Sequence, residues 1–211
     1  PSPPWLDATP AEVRAVVVGI DVYEYGDAWK LRGPADDALR TVDWLLASGV
    51  DHKHIALFLS AQSWESKEVI AWMAANKWSI KRNASHQAIC QFFNLELHKS
   101  GGRALLVHWG GHGAVDEVTR QNCLFTADAV RDAPYCLSAQ DLLQTMSDSR
   151  LSHLSQQVYI FDMCASPYSR IGATVLADPA RLAKTGKVEL KVQQCAMFAS
   201  SLGPPASALV I

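Results

Sequence analysis

Two short apolar runs, each followed by a turn that carries a reactive side chain, constrain the fold of this chain most strongly. The run 104–113 (ALLVHWGGHG) ends with His112 and Gly113, and the run 158–166 (VYIFDMCAS) ends with Cys164. Continuous apolar runs of this length are typical of buried strands in a parallel sheet. We therefore expect His112 and Cys164 at the carboxyl ends of strands, the edge where open α/β sheets bind ligands.

The composition fits one globular domain and argues against several classes of partner. Of the 211 residues, 49% are hydrophobic and 19% are charged, which is ordinary for a chain that buries a full core. The net charge of -2 argues against nucleic acid as a partner. No apolar run approaches the ~20 residues that span a bilayer, and residues 1–4 do not resemble a signal peptide, so no membrane partner is expected.

The cysteines and the chain ends give two further expectations. The 5 cysteines form no Cys-x-x-Cys pair, which favours free thiols in a reducing compartment and hence a cytoplasmic protein. The chain begins at Pro1 without a methionine and ends at Ile211 within an apolar stretch, as a fragment or a processed piece would.

Strand-type and helix-type segments alternate along the chain. Strands are predicted over 13–20, 54–59 and 192–200 besides the two runs above, and a small hairpin over 114–127. Helices are predicted from Pro34 to Gly49, from Ser85 to about His98, and from the capping sequence at Ser138 to about Met146. The second helix is expected to bury one face, made of Ala88, Ile89, Phe92, Phe93 and Leu95. This alternation predicts an α/β fold, a three-layer α/β/α sandwich with a mostly parallel central sheet.

Gly-His-Gly at 111–113 and Asp-x-Cys-x-Ser at 162–166 resemble the catalytic motifs of caspases and metacaspases. Cys164 lies 52 positions after His112, and the caspase histidine lies about 50 residues before the cysteine. The segment 31–38 (LRGPADDA) is similar to the metacaspase sequence Leu-x-Gly-Cys-x-Asn-Asp-Ala, with Pro34 in place of the cysteine and Asp36 in place of the asparagine. The similarity extends over about 13–200 and is closest to metacaspases and their bacterial relatives.

The resemblance implies a division of the chain. Residues 1–12 would be an N-terminal extension, 13–166 the large-subunit core, 167–191 an inter-subunit linker and 192–211 the start of a small subunit that continues beyond Ile211. In this family the linker is often cleaved during activation, and four of its basic residues are candidate processing sites: Arg170, Arg181, Lys184 and Lys187. An ordinary solvated loop explains the same composition equally well.

The family roles imply a cysteine endopeptidase without a cofactor. Cys164 would be the nucleophile and His112 the residue that passes the proton to the leaving amine. The backbone N–H groups of Gly113 and Cys164 would bind the oxyanion, and a glycine at 113 leaves room for the substrate. Without the motif, a buried strand-end thiol and a turn histidine would be the ordinary interpretation of each residue.

The resemblance also implies a preference for substrates with Arg or Lys before the cleaved bond. Metacaspases place acidic residues at the positions of Asp37 and Asp162, where carboxylates would bind a guanidinium or an ammonium group. Asp36 is an alternative to Asp37, and a helix N-terminal charge or a loop cap would explain these carboxylates without a substrate. The family often has serine at the position of Gly110, so one hydrogen bond of the pocket is expected to be missing.

Other interpretations compete with a protease. His108 and His112 with Cys164 suggest zinc, but their strand-and-turn setting does not match a helical metal motif, so no metal is predicted. Calcium is a family option for which Asp128 and Asp132 are too sparse. An inactive adaptor and a CHAT-type protease are the alternatives to an active caspase-like enzyme. The expected partners are protein substrates, the rest of the small subunit, and an activating protease or regulator in cell death or prokaryotic defence.

Overall fold

The computed structural model describes residues 7–61, 74, 82–116, 119–130, 134–163, 166–168, 191–199 and 208–210. Cys164, Asp132 and the four candidate processing residues Arg170, Arg181, Lys184 and Lys187 lie outside these ranges. Within the described residues, no helix has the length and apolarity needed to cross a membrane.

A seven-stranded sheet forms the centre of the protein. Its strands are β1 (Val13–Ile20), β2 (Ile55–Ser60), β3 (Arg82–Asn83), β4 (Ala104–Gly111), β8 (Gln156–Met163), β10 (Gln193–Ala199) and β11 (Ala208–Val210). They lie in the order β11-β10-β8-β4-β1-β2-β3, and every pairing is parallel except that of β11 with β10. The strands predicted at 13–20, 54–59 and 192–200 are therefore present within one residue of their expected ends.

A second, smaller sheet adjoins the carboxyl ends of β4 and β8. It consists of β5 (Gly113–Asp116), β6 (Asn122–Phe125), β7 (Cys136–Ser138) and β9 (Ser166–Tyr168), in the order β7-β6-β5-β9. The predicted hairpin over 114–127 is present as β5 and β6, but it is half of a four-stranded sheet that the sequence did not indicate. Strand β9 crosses position 166, the predicted boundary between core and linker.

Helices cover both faces of the large sheet because the side chains of its strands alternate between two cores. Ala15 and Val17 of β1 pack with helix α1 (Pro34–Ala47) through Ala38 and Val42. Val16, Val18 and Ile20 join the opposite core, which includes residues of α2 (His86–Gln91) and α3 (Ala139–Met146). This arrangement confirms the predicted three-layer α/β/α class.

The second predicted helix is correct in position, and its predicted inner face is correct except at Leu95. Ser85 caps α2 by accepting a hydrogen bond from the backbone N–H of Ala88 at 3.3 Å. The chain then widens into a π-helical segment, Phe92–Glu96, and tightens into a 3₁₀ turn, Leu97–Lys99. The wider turn shifts the register, so Leu95 is 53% exposed and Leu97 takes its place in the core at 2% exposed.

Candidate active site

His112 follows β4 directly and lies between the two sheets. On one side, β4 pairs with β8 up to Gly111 and Met163. On the other side, β5 pairs with β9 in parallel, starting at Ala114 and Ser166. The chain segments that contain positions 112 and 164 are thus held side by side both before and after these positions.

The imidazole of His112 is fixed by hydrogen bonds and by aromatic rings. Its Nε2 atom lies 3.0 Å from the carbonyl oxygen of Trp29, and its backbone N–H donates to the Tyr23 hydroxyl at 2.7 Å. A carbonyl oxygen only accepts, so Nε2 carries the proton and the neutral ring keeps its lone pair on Nδ1. The rings of Tyr23 and Trp29 each lie with their centroids 5.1 Å from that of His112.

Two further aromatic rings pack against Trp29. Trp29 stacks on Tyr25 with a centroid distance of 4.0 Å and lies 5.0 Å from Phe125 of β6. Partial burial lowers the pKa of His112 below its usual value, although the hydrogen bond to the Trp29 carbonyl opposes the shift. The ring is therefore neutral at neutral pH and available as a proton acceptor. The sequence analysis did not identify these aromatic residues, because the loop after β1 has no periodicity that marks its side chains.

Asp37 and Asp162, the carboxylates predicted to bind a basic substrate residue, both influence the pKa of a third residue, His108. Asp162 is exposed and pairs with Gly110 across β8 and β4, while Asp37 lies in the first turn of α1. Burial lowers the pKa of His108, and the negative charges of Asp162 and Asp37 partly oppose this shift. Asp37 and Asp162 therefore contribute negative potential at one place beside the carboxyl ends of β4 and β8.

The neighbouring carboxylates Asp37 and Asp36 differ in their local contacts. The Asp37 carboxylate accepts a hydrogen bond from Arg40 at 3.1 Å, in an ion pair whose arginine side chain is 79% exposed. Exposed pairs at this helical spacing contribute only about 0.3–0.5 kcal/mol, so a bound cation can displace Arg40. Asp36 is exposed to solvent in the same turn.

Two of the three departures from the metacaspase pattern, Pro34 and Gly110, lie against each other. A Cβ at Gly110 would meet Cα and Cβ of Pro34 at 3.4 Å, at the close end of ordinary van der Waals contact. Pro34 also starts α1, whose next residue, Ala35, donates its backbone N–H to Asp21 at 3.1 Å. The small residue at 110 thus accommodates the proline ring at 34.

Gly113 has a structural reason that differs from the expected one. A Cβ at this position would lie 2.4 Å from Cε and 2.6 Å from Sδ of Met163. Cε and Sδ are the flexible end of the methionine side chain, but the Cβ of Met163 would also lie 2.9 Å away, so a larger residue at 113 would require a local shift. Packing at the start of β5 is thus a reason for glycine at this position that does not depend on a substrate.

The structure covers the proposed zinc and calcium ligands only in part, because Cys164 and Asp132 lie outside the described residues. Among the described residues, no group of three or more His, Cys, Asp or Glu side chains is placed to hold a metal ion. Asp128 instead caps α2, accepting from the backbone N–H of His86 at 2.9 Å and from the Thr126 hydroxyl at 2.6 Å.

Comparison with known proteins gave structural similarities and no sequence match. No protein-family model matches the chain, and no curated protein matches it in sequence. A solved chain described as the structure of pro-sf-caspase-1 is similar over 92% of this chain, with a TM-score of 0.45 and 10% sequence identity. The match spans 63% of the length of that chain.

Proposed function

We propose that this protein is a cysteine endopeptidase of the caspase and metacaspase type that cleaves after Arg or Lys. The observation that carries the proposal is the double pairing around positions 112 and 164, Gly111 with Met163 in one sheet and Ala114 with Ser166 in the other. Cys164 follows Met163 directly in sequence, and Met163 pairs with Gly111, the residue before His112.

The fixed tautomer of His112, with its lone pair on Nδ1, supports a role as proton carrier. The Cys164 sulfur attacks the carbonyl carbon of the cleaved peptide bond, and the thiol proton passes to Nδ1 of His112. The resulting imidazolium gives this proton to the leaving amine as the carbon–nitrogen bond breaks, which leaves a thioester on Cys164. Water then hydrolyses the thioester and restores the thiol. The Trp29 carbonyl would hold Nε2–H throughout and favour the imidazolium.

The backbone N–H groups of Gly113 and Cys164 are the proposed donors to the oxyanion that forms during each attack. Fixed backbone donors at such a position typically contribute about 2.7–4 kcal/mol to the transition state. The pairing of Ala114 with Ser166 supports this assignment because it holds the residue after Gly113 beside a residue two positions after Cys164.

The acidic side of the site supports the preference for basic residues. Asp37 and Asp162 both raise the negative potential near His108, and a substrate guanidinium would replace the weak contact between Asp37 and Arg40. Charge-assisted hydrogen bonds to two carboxylates favour arginine most strongly, because its planar group binds them in pairs.

The test compares turnover of fluorogenic peptides that end in Arg or in Asp, with full-length protein and its Cys164→Ala variant. Turnover of the Arg peptide that disappears in Cys164→Ala is the expected result. Turnover of the Asp peptide would overturn the roles of Asp37 and Asp162. Absence of turnover of both peptides, after linker cleavage and with calcium present or absent, would contradict the proposed protease activity. It would favour an inactive adaptor.

A further inference from the structure

A cavity lies at the edge of the large sheet opposite to His112. It has a volume of about 420 Å³ and is formed where β1 and β2 begin, with the π-helical segment and the loop before β4 as its other walls. This volume lies within the range of pockets that bind cofactor-sized molecules. None of its lining residues belongs to the proposed protease site.

The cavity is lined by more positive than negative side chains. Arg14, Lys53, Lys99 and the titratable His54 contribute positive or potentially positive charge, and Glu96 is the carboxylate in the lining. The ion pairs given by the described residues involve none of Arg14, Lys53 and Lys99. The positive charges of the cavity are therefore not neutralised by ion pairs within the described part of the chain.

Arg14 is held in place by backbone contacts. Its Nη1 donates to the carbonyl oxygens of Ala11 at 3.0 Å and Val13 at 2.9 Å. Partial burial lowers the pKa of Arg14 below its usual value. A fixed guanidinium of this kind suits the recognition of phosphate oxygens.

His54 adds a polar atom that has a different environment from Arg14. Its Nδ1 atom is buried and has no hydrogen-bond partner among the described residues. Burial and the charges of Arg14 and Lys53 lower the pKa of His54, whereas Asp51 raises it. A ligand contact or a bound water would supply the missing hydrogen bond.

The remaining wall is apolar. Phe92 and Leu97 come from the π-helical segment and the turn after it, and Ile55 and Ala56 come from the start of β2. Phe92 and Glu96 are the first and last residues of the π-helical segment, a rare form that is frequent at functional sites. The cavity thus combines a cationic rim, an aromatic wall and one carboxylate that can accept a hydroxyl hydrogen.

We propose that this cavity binds a nucleoside phosphate. The cations would bind the phosphate oxygens, Phe92 and Leu97 would contact the base, and Glu96 would accept a hydrogen bond from a sugar hydroxyl, as carboxylates do in dinucleotide-binding folds. This binding does not depend on the protease activity.

Calorimetry with full-length Cys164→Ala protein tests the proposal, with ADP, pyrophosphate and adenosine as probes. ADP should bind one molecule per chain more tightly than either pyrophosphate or adenosine. The double variant Lys53→Gln/Lys99→Gln should weaken ADP by about tenfold or more, because two charge-assisted contacts are lost. Both lysines are exposed, so the variant should keep its fold, which near-ultraviolet circular dichroism verifies.

Lys191→Gln is the matched control, since Lys191 is an exposed lysine just before β10, three strands from β1. It should leave ADP affinity within about twofold. Absence of ADP binding at millimolar concentration, or equal weakening by Lys191→Gln, would overturn the proposal. So would pyrophosphate binding as tightly as ADP, because attraction of any polyanion would then explain the data. Failure of the peptide cleavage assay would leave this result unaffected.

Discussion

The proposed catalytic pair, His112 and Cys164, can be compared with a buried histidine and cysteine pair, His86 and Cys90. In α2, the Cys90 sulfur lies 3.8 Å from ring nitrogens of His86, and these residues are 1% and 5% exposed. In the candidate active site, His112 is only partly buried and adjoins the end of β8, which Cys164 follows in sequence. The buried pair lies inside the core, whereas His112 lies at the edge of the sheet where we propose that the peptide binds.

The difference shows that proximity alone does not create a nucleophile. A substrate carbonyl cannot reach Cys90, since its side chain is enclosed by the core that includes Ile89 and Phe93. His112, by contrast, has one nitrogen fixed by the Trp29 carbonyl and the other available. Access and a fixed tautomer therefore distinguish the proposed catalytic pair from the structural pair.

Replacement of each cysteine with alanine should give the largest difference in activity between the two pairs. Cys164→Ala should lower kcat/KM on an Arg peptide by at least about 1,000-fold, because it removes the nucleophile. Cys90→Ala should leave kcat/KM unchanged and lower the free energy of unfolding by about 1 kcal/mol, because it opens a small cavity in the core. Peptide turnover and urea unfolding measure the two effects. Similar losses of activity in both variants would contradict the distinction.

Replacement of the two histidines should give the next largest difference. His112→Gln should lower kcat by about 100-fold to 10,000-fold with little change in KM, because the proton carrier is lost. His86→Gln, at the buried pair, should leave both constants near those of the parent. Steady-state kinetics on the Arg peptide gives both constants, and a His112→Gln variant with parental kcat would exclude the dyad.

The acidic side of the site can be tested by neutralising one carboxylate at a time. Asp162→Asn or Asp37→Asn should raise KM for the Arg peptide by about tenfold, the effect of one charge-assisted hydrogen bond of about 1.5 kcal/mol. Asp36→Asn is the control in the same helical turn, and it should change KM by less than about twofold. A larger effect at Asp36 than at Asp37 would mean that Asp36 contacts the substrate instead.

Burial of imidazoles at both edges of the sheet should make stability depend on pH. The pKa values of His54, His108 and His112 are all lowered in the folded protein, chiefly by burial. The unfolded chain therefore binds more protons below about pH 6.5, so stability is retained above this pH and lost as pH falls towards the folded pKa values. Urea midpoints at pH 7.5 and pH 5.5, measured for the parent and for His108→Asn, test this. A variant with the parental pH dependence would exclude a contribution from His108.

The smallest expected effect concerns the pair of Arg40 with Asp37. Arg40→Gln should lower KM for the Arg peptide by about twofold, because the substrate no longer displaces a contact of about 0.3–0.5 kcal/mol. Arg32→Gln, at an exposed arginine just before α1, is the control. Peptide KM at low and high salt measures the effect, which should shrink as salt rises. A higher KM in Arg40→Gln would mean that Arg40 assists binding.

The sequence predicted the large sheet well because its signals are local. Continuous apolar runs marked β1 and β4, and Pro34 with helical spacing marked α1. The prediction that Leu95 faces the core was wrong, because a π-helical segment changes the number of residues per turn within the helix. No residue type in the sequence indicates that change. Strands β7 and β9 were missed because each is only three residues long.

The candidate site was predicted in part for a related reason. Motif spacing located His112, Asp37 and Asp162, but it contained no information about the residues that surround them. Tyr23 and Trp29 come from an irregular loop and reach His112 through tertiary contacts across more than 80 positions of sequence. His108 was considered only as a metal ligand, whereas the structure places it within the field of Asp37 and Asp162.

The most direct test of the dyad is alkylation of each cysteine by a peptide chloromethyl ketone that ends in Arg, followed residue by residue with mass spectrometry. The account predicts rapid modification of Cys164, at least about 100-fold slower modification in His112→Gln, and no modification of folded Cys90. Labelling of Cys164 at the same rate with and without His112, or no faster than that of Cys90, would contradict it.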